Sequence, residues 1–175
     1  MKKLVLFLFI AFGSVNLFAQ TAQKTAYVNS EVIYEQYAPA IKAQSDLEAL
    51  ATKWRATRDS MVQTLQAQFA EYQKQAQTMP QDKQREAQQK LAAGEQKISE
   101  YEQTKFNQQT GEFFQKQTEL FKPIRERVLK AIEDVAKAES YTFVFDKTET
   151  ISTMVYGDSE FDLTFKVLDL LKKDK

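Results

Sequence analysis

The chain has 175 residues, with 24 Lys and Arg against 24 Asp and Glu, and neither cysteine nor histidine. Without cysteine it has no disulfide framework, and without either residue it has no Cys/His metal site and no common nucleophile–base pair. A formal charge of zero argues against a nucleic-acid surface, and 43% hydrophobic residues argue against a disordered chain.

Met1-Lys2-Lys3 is a positive start, LVLFLFIAF (4–12) an apolar run, and NLFAQ (16–20) offers Ala19 as a small residue before a cleavage point. The pattern is that of a secretory signal over residues 1–19, with an apolar run short for a membrane span. The exported chain then begins at Gln20. It loses two lysines, leaving 22 basic and 24 acidic residues, net −2.

TAYVN (25–29) is short and extended in character. Asn29 or Ser30 suits the N-cap of the helix that follows, whose apolar residues are Val32, Ile33 and Tyr37. From about Ser30 to Ser140 the sequence is rich in Ala, Gln, Glu, Lys and Leu, all good helix formers. The first stretch carries an apolar stripe through Ala43, Leu47, Leu50, Trp54, Met61, Leu65, Phe69, Tyr72 and Ala76. Its mean spacing fits an eleven-residue repeat, so a nearly straight helix is expected. The second stretch carries Ala87, Leu91, Ile98, Tyr101, Phe106, Phe113, Leu120, Ile124, Val128, Ile132 and Val135.

TMPQD (78–82) separates them, with Pro80 suited to the first turn of a new helix. If the chain reverses there, residue i faces roughly 159 − i. Met61 then meets Ile98, Trp54 meets Phe106 or its neighbour, and Phe69 falls near Leu91. Pro39 and Pro123 lie at one level, read as the junction between arm and body. At ~1.5 Å per residue each arm is ~60 Å long. The arm spans 40–118 with its tip near 78–82. Apolar density falls toward that tip, while 16 of the 55 residues from 63 to 117 are glutamine. Gly94 and Gly111 weaken the second helix further. The tip half is expected to be weakly held.

YTFVFD (141–146) reads as a strand, with Tyr141, Phe143 and Phe145 on one face and Thr142, Val144 and Asp146 on the other. ISTMVY (151–156) follows after a short loop, as the second arm of a hairpin would. The remainder makes a last helix capped by Ser159 or Asp162, with Leu163, Val167, Leu170 and Leu171 on its buried face and Lys172 and Lys173 at its end. The fold class is therefore mainly α with a small β body (α+β): a long antiparallel helical hairpin on a body of three strands per chain. The body comprises 24–39 and 119–175. A three-stranded sheet that small is marginal alone, so the body is expected to be an oligomerisation core. Its residues are Tyr27, Val28, Ile33, Phe143, Val144, Phe145, Val155, Tyr156, Leu163 and Val167.

No phosphate loop, dinucleotide fingerprint or nucleophile elbow is present. The expectation is a protein that is not an enzyme, with no cofactor, no metal site and no catalytic residue. The arm segment 53–97 has eight basic and five acidic residues, net +3; residues 139–175 have five basic and eight acidic, net −3. That polarity is mild, and no nucleic-acid partner is expected.

AYVNSEVIYEQY (26–37) and SYTFVFDKTETISTMVYGDSEFDLTFKVLDLL (140–171) resemble the two ends of the Skp/OmpH family of periplasmic chaperones. The resemblance implies a jellyfish-like homotrimer whose arms enclose a cavity. It implies a periplasmic, ATP-independent holdase that keeps unfolded outer-membrane proteins from aggregating on their way to the membrane. The best-known members are strongly basic. This chain, with an isoelectric point near 6.4, is expected to rely more on apolar contact. The arm aromatics Phe69, Tyr72, Tyr101, Phe106, Phe113 and Phe114 are the candidate client-binding residues, because one helix–helix seam cannot absorb them all. Envelope lipid contact stays open as a further partner. The alternative reading is an exported structural or adaptor hairpin that docks onto an envelope assembly.

Overall fold

The computed structural model describes residues 23–148 and 154–173. The signal-peptide reading, with Ala19 and Gln20, lies outside them. The elements in order are β1 (Thr25–Val28), α1 (Ser30–Gln36), α2 (Ala38–Gln75), α3 (Gln81–Phe106), α4 (Glu112–Ala138), β2 (Phe143–Asp146), a 3-10 turn (Ser159–Phe161) and α5 (Thr164–Lys173).

β1 and β2 pair in parallel, with Ala26 opposite Val144 and Tyr27 opposite Phe145. Parallel neighbours cannot be joined by a tight turn and need a long crossover. Here the whole helical arm is that crossover. The alternation of the strands then sorts their side chains. Ala26, Val28 and Val144 face a core formed with Ile33, Val128, Ala131, Val135, Leu163, Val167, Leu168 and Leu171. Phe143 and Phe145 face away and are half exposed. Tyr27 shares their side of the sheet but is buried, and its hydroxyl donates to the Gly157 carbonyl at 3.3 Å. A Cβ on Gly157 would stand 2.5 Å from the Tyr27 ring, so only glycine lets the 154–158 segment close over the strand.

Polar contacts tie the body's ends together. Asn29 caps α1 by accepting from the Val32 N–H at 3.1 Å. The backbone N–H of Asn29 donates to Thr164 Oγ1 at 2.8 Å, and Thr164 Oγ1 donates to Asp162. Asp146, at the end of β2, accepts from the backbone N–H and hydroxyl of Ser30. Chain segments more than a hundred residues apart thus share one set of bonds. Leu168 sits at the centre, fully buried. Leu168→Ala is expected to destabilise the body by about 3 kcal/mol, the usual cost of a leucine-sized cavity. Chemical denaturation followed by circular dichroism checks this.

Two expectations differ from the structure. The body's sheet has two strands among the described residues, not three. Residues 151–153 of the expected third strand lie outside the description, and Met154–Tyr156 are not in a strand. Val155 and Tyr156, expected in a shared core, are exposed in the single chain at 96% and 78%. The second difference is in the arm. α2 runs unbroken, but its partner is split between Phe106 and Glu112. Asn107 makes the break, because its side-chain oxygen accepts from the N–H groups of Gln109 and Thr110 instead of letting the helix continue.

Above the break the hairpin follows the expected register. Trp54 meets Phe106 edge-on with ring centroids 6.0 Å apart. Arg58 reaches Glu102 at 3.4 Å, and Gln88 donates to the Tyr72 hydroxyl at 2.9 Å. Below it the pairing slips by about one turn, and Ala40 and Ala43 pack with Ile124, Leu120 and Phe121. This cluster adjoins both Pro39 and Pro123. Pro123 does not interrupt α4.

Candidate functional site

The arm changes character at Trp54. It is the last buried residue of α2, and α3 has none. Beyond it Met61, Leu65, Tyr72, Leu91 and Ile98 are only half-buried and line an open groove of about 610 Å³ between α2 and α3. Its cause is the run of small residues on α3. Ala87 and Gly94 leave space, and Leu65 alone fills the glycine's notch, 2.7 Å from where a Cβ would stand. Exposed ion pairs hold the flanks, each worth only a few tenths of a kcal/mol at helical spacing. The densest is at Glu86, where Lys83 and then Lys90 hydrogen-bond the carboxylate and hold its pKa at about 2. The charges near the tip therefore persist into mild acid.

The six candidate aromatics do not form one patch. Phe106 is committed to Trp54, and Tyr101 lies 5.8 Å from the Lys105 ammonium. Tyr72 lines the inter-helix groove, and Phe113 is half-buried beside the break. Phe69 and Phe114 are open, at 50% and 43% exposure. Phe69 was expected opposite Leu91 but does not share the groove Leu91 lines. Eight residues past Met61 is ~80° beyond two full turns, which carries Phe69 off the seam.

The sequence reading missed an apolar surface at the base of the arm. Phe114, Phe121 and Tyr34 border a groove of about 860 Å³, and Ile41 joins Tyr34 and Phe121 around a second of about 420 Å³. Ile41 is 51% exposed because it falls between the seam positions Ala40 and Ala43. Phe161 and Phe165 were missed as well. Both are exposed, and with Phe143, Phe145, Val155 and Tyr156 they make the body rich in open aromatic and aliphatic side chains. A signal was present in TFKVLDLL. Phe165 lies between Leu163 and Val167 and so cannot share their buried face.

Among the described residues no group of acidic side chains is placed to hold a metal, and no helix is long and apolar enough to cross a membrane. The described residues offer shallow apolar surface on long helices. A family model described as "Outer membrane protein (OmpH-like)" matches residues 24–171, from β1 into the last turns of α5. The chain belongs to the OmpH-like family. The match includes both ends of the body, so the parallel strand pair and the arm as its crossover fall within one family unit. Comparison with curated proteins finds no match. Among solved structures, the OmpH-like chain is similar to a crystal structure, at 2.83 Å, of a candidate outer membrane chaperone (OmpH-like) from Caulobacter crescentus CB15. The two are 13% identical, the similarity covers 91% of this chain and 92% of that one, and the TM-score is 0.71. At that identity the likeness speaks for the fold.

Proposed function

We propose that this OmpH-like protein is a periplasmic holdase chaperone that works without ATP. It binds unfolded outer-membrane proteins through apolar side chains on its arm. The observation that carries this reading is the coincidence of two properties. The arm exposes large apolar residues such as Ile41, Phe69 and Phe114, and beyond Trp54 it has no buried residue. A surface that is apolar and weakly held can adapt to a client with no fixed shape. An unfolded barrel protein presents such a chain, with apolar residues at every second position. Many contacts of modest strength then add without a single dominant one.

In this reading the body is the assembly element, and the protein is a homotrimer. Among the described residues β2 pairs along one edge, with β1, and the open Phe143, Phe145 and Tyr156 are surfaces of the kind that subunits cover. Export rests on the residue 1–19 signal, and the mature protein starts at Gln20. The test dilutes a urea-unfolded outer-membrane barrel protein into buffer without nucleotide and follows light scattering. At a small molar excess the OmpH-like protein is expected to suppress most of the aggregation. Undiminished scattering at tenfold excess would exclude the holdase reading.

A further inference from the structure

The break at 107–111 is a built joint, not a frayed end. The Asn107 side chain takes two backbone N–H groups, and the Gly111 N–H donates to the Asn107 carbonyl at 3.0 Å. A Cβ on Gly111 would lie 2.5 Å from the Asn107 backbone, so no other residue fits without a shift. One ion pair spans the joint from the end of α3 to the start of α4. Lys105 Nζ is 2.5 Å from Glu112 Oε1, with the lysine side chain only 19% exposed. The same ammonium lies 5.0 Å from the Trp54 ring centre and 5.8 Å from that of Tyr101. The Thr57 hydroxyl donates to the Lys53 carbonyl one turn back, a bond that commonly bends helices.

We propose that Lys105 and Glu112, braced on Trp54, form a latch that holds the distal arm in line with its base, and that opening this latch lets the distal arm swing. The position of the joint supports this. Trp54 marks the end of buried packing in α2, so nothing beyond it but half-buried side chains resists a bend. The lysine side chain is only 19% exposed, so losing Glu112 leaves its ammonium poorly solvated against the rings, while Glu112 is itself 42% exposed. A swing of ~20° at the joint would carry the tip by roughly 13 Å over the ~39 Å of α3.

The chain's lack of cysteine makes the test direct. Gln77→Cys near the tip carries one spin label per chain, and distances are read from tip to tip between chains of the assembled protein, where a lateral swing shows in full; this rests on the proposed assembly, whose mass light scattering checks first. The parent is expected to give one narrow distance distribution. Lys105→Met keeps an apolar stem over Trp54 but removes the charge, and should broaden the distribution by about 10 Å or more. Glu112→Gln should do the same, and it leaves Lys105 in place should Lys105→Met perturb the fold. The reversed pair, Lys105→Glu with Glu112→Lys, should narrow it again. An unchanged width in both single variants overturns the latch. So does a reversed pair as broad as the singles, because the effect would then belong to packing on Trp54 and not to the pair.

Discussion

Val144→Asp is expected to abolish the body, leaving protein that is monomeric and largely unfolded. Val144 faces Ala26 across the sheet and packs on the cluster of Val128, Leu163 and Leu168. Removing its apolar surface costs about 1.5–2 kcal/mol, and placing a carboxylate against that core costs at least about as much again. Against a domain stability of about 5–15 kcal/mol, a loss of about 3–4 kcal/mol or more removes most of the margin at the lower end of that range. Phe145→Asp is the informative contrast. Its neighbour in sequence points to the other face and is 46% exposed. The single chain should therefore keep its helix content, while assembly is lost if the outward face is the subunit interface. Circular dichroism separates the two variants, and light scattering reads the mass. A Phe145→Asp protein that keeps the parent's oligomeric mass would remove this face from the interface.

The contrast between these neighbours shows how far alternation could be read from sequence. YTFVFD announced two faces, and which residues shared a face followed from the period of two alone. Which face met the core did not follow. That depended on β1 joining in parallel, a pairing between residues 25–28 and 143–146 that no local signal encodes. The arm was more legible. Pro80 marks the reversal, and the stripes of α2 and α3 fix a register that Arg58–Glu102 and Gln88–Tyr72 obey. The break at 107–111 was harder. NQQTG has the composition of a solvated helix, and Gly111 reads as a weak helical residue. It is in fact the residue before α4, required by its close approach to Asn107. The side-chain bonds of Asn107 are local and of a known kind. They win here because no apolar residue lies between Phe106 and Phe113 to make a continued helix worth burying.

Exchanging Ile41, Phe69 and Phe114 together for Ser is expected to weaken client holding by about tenfold or more while leaving the fold and the oligomer intact. The choice of residues matters. Tyr72 accepts from Gln88, and Tyr101 lies close to Lys105, so changing either would loosen the hairpin as well as its surface. Ile41, Phe69 and Phe114 are each close to half exposed, at 51%, 50% and 43%. If each contact with a client contributes about 0.5–1 kcal/mol, losing three costs about 1.5–3 kcal/mol, which is roughly 10–100-fold in affinity. Binding of a fluorescently labelled, unfolded barrel protein measures it. Salt supplies the opposing test. The arm segment 53–97 carries only net +3, and at 0.5 M salt exposed charges are screened within a few ångströms. Holding should then fall by less than about threefold, since apolar contact does not weaken with salt. A triple variant that binds like the parent, with binding that collapses at high salt, would place charge and not apolar surface at the centre of capture.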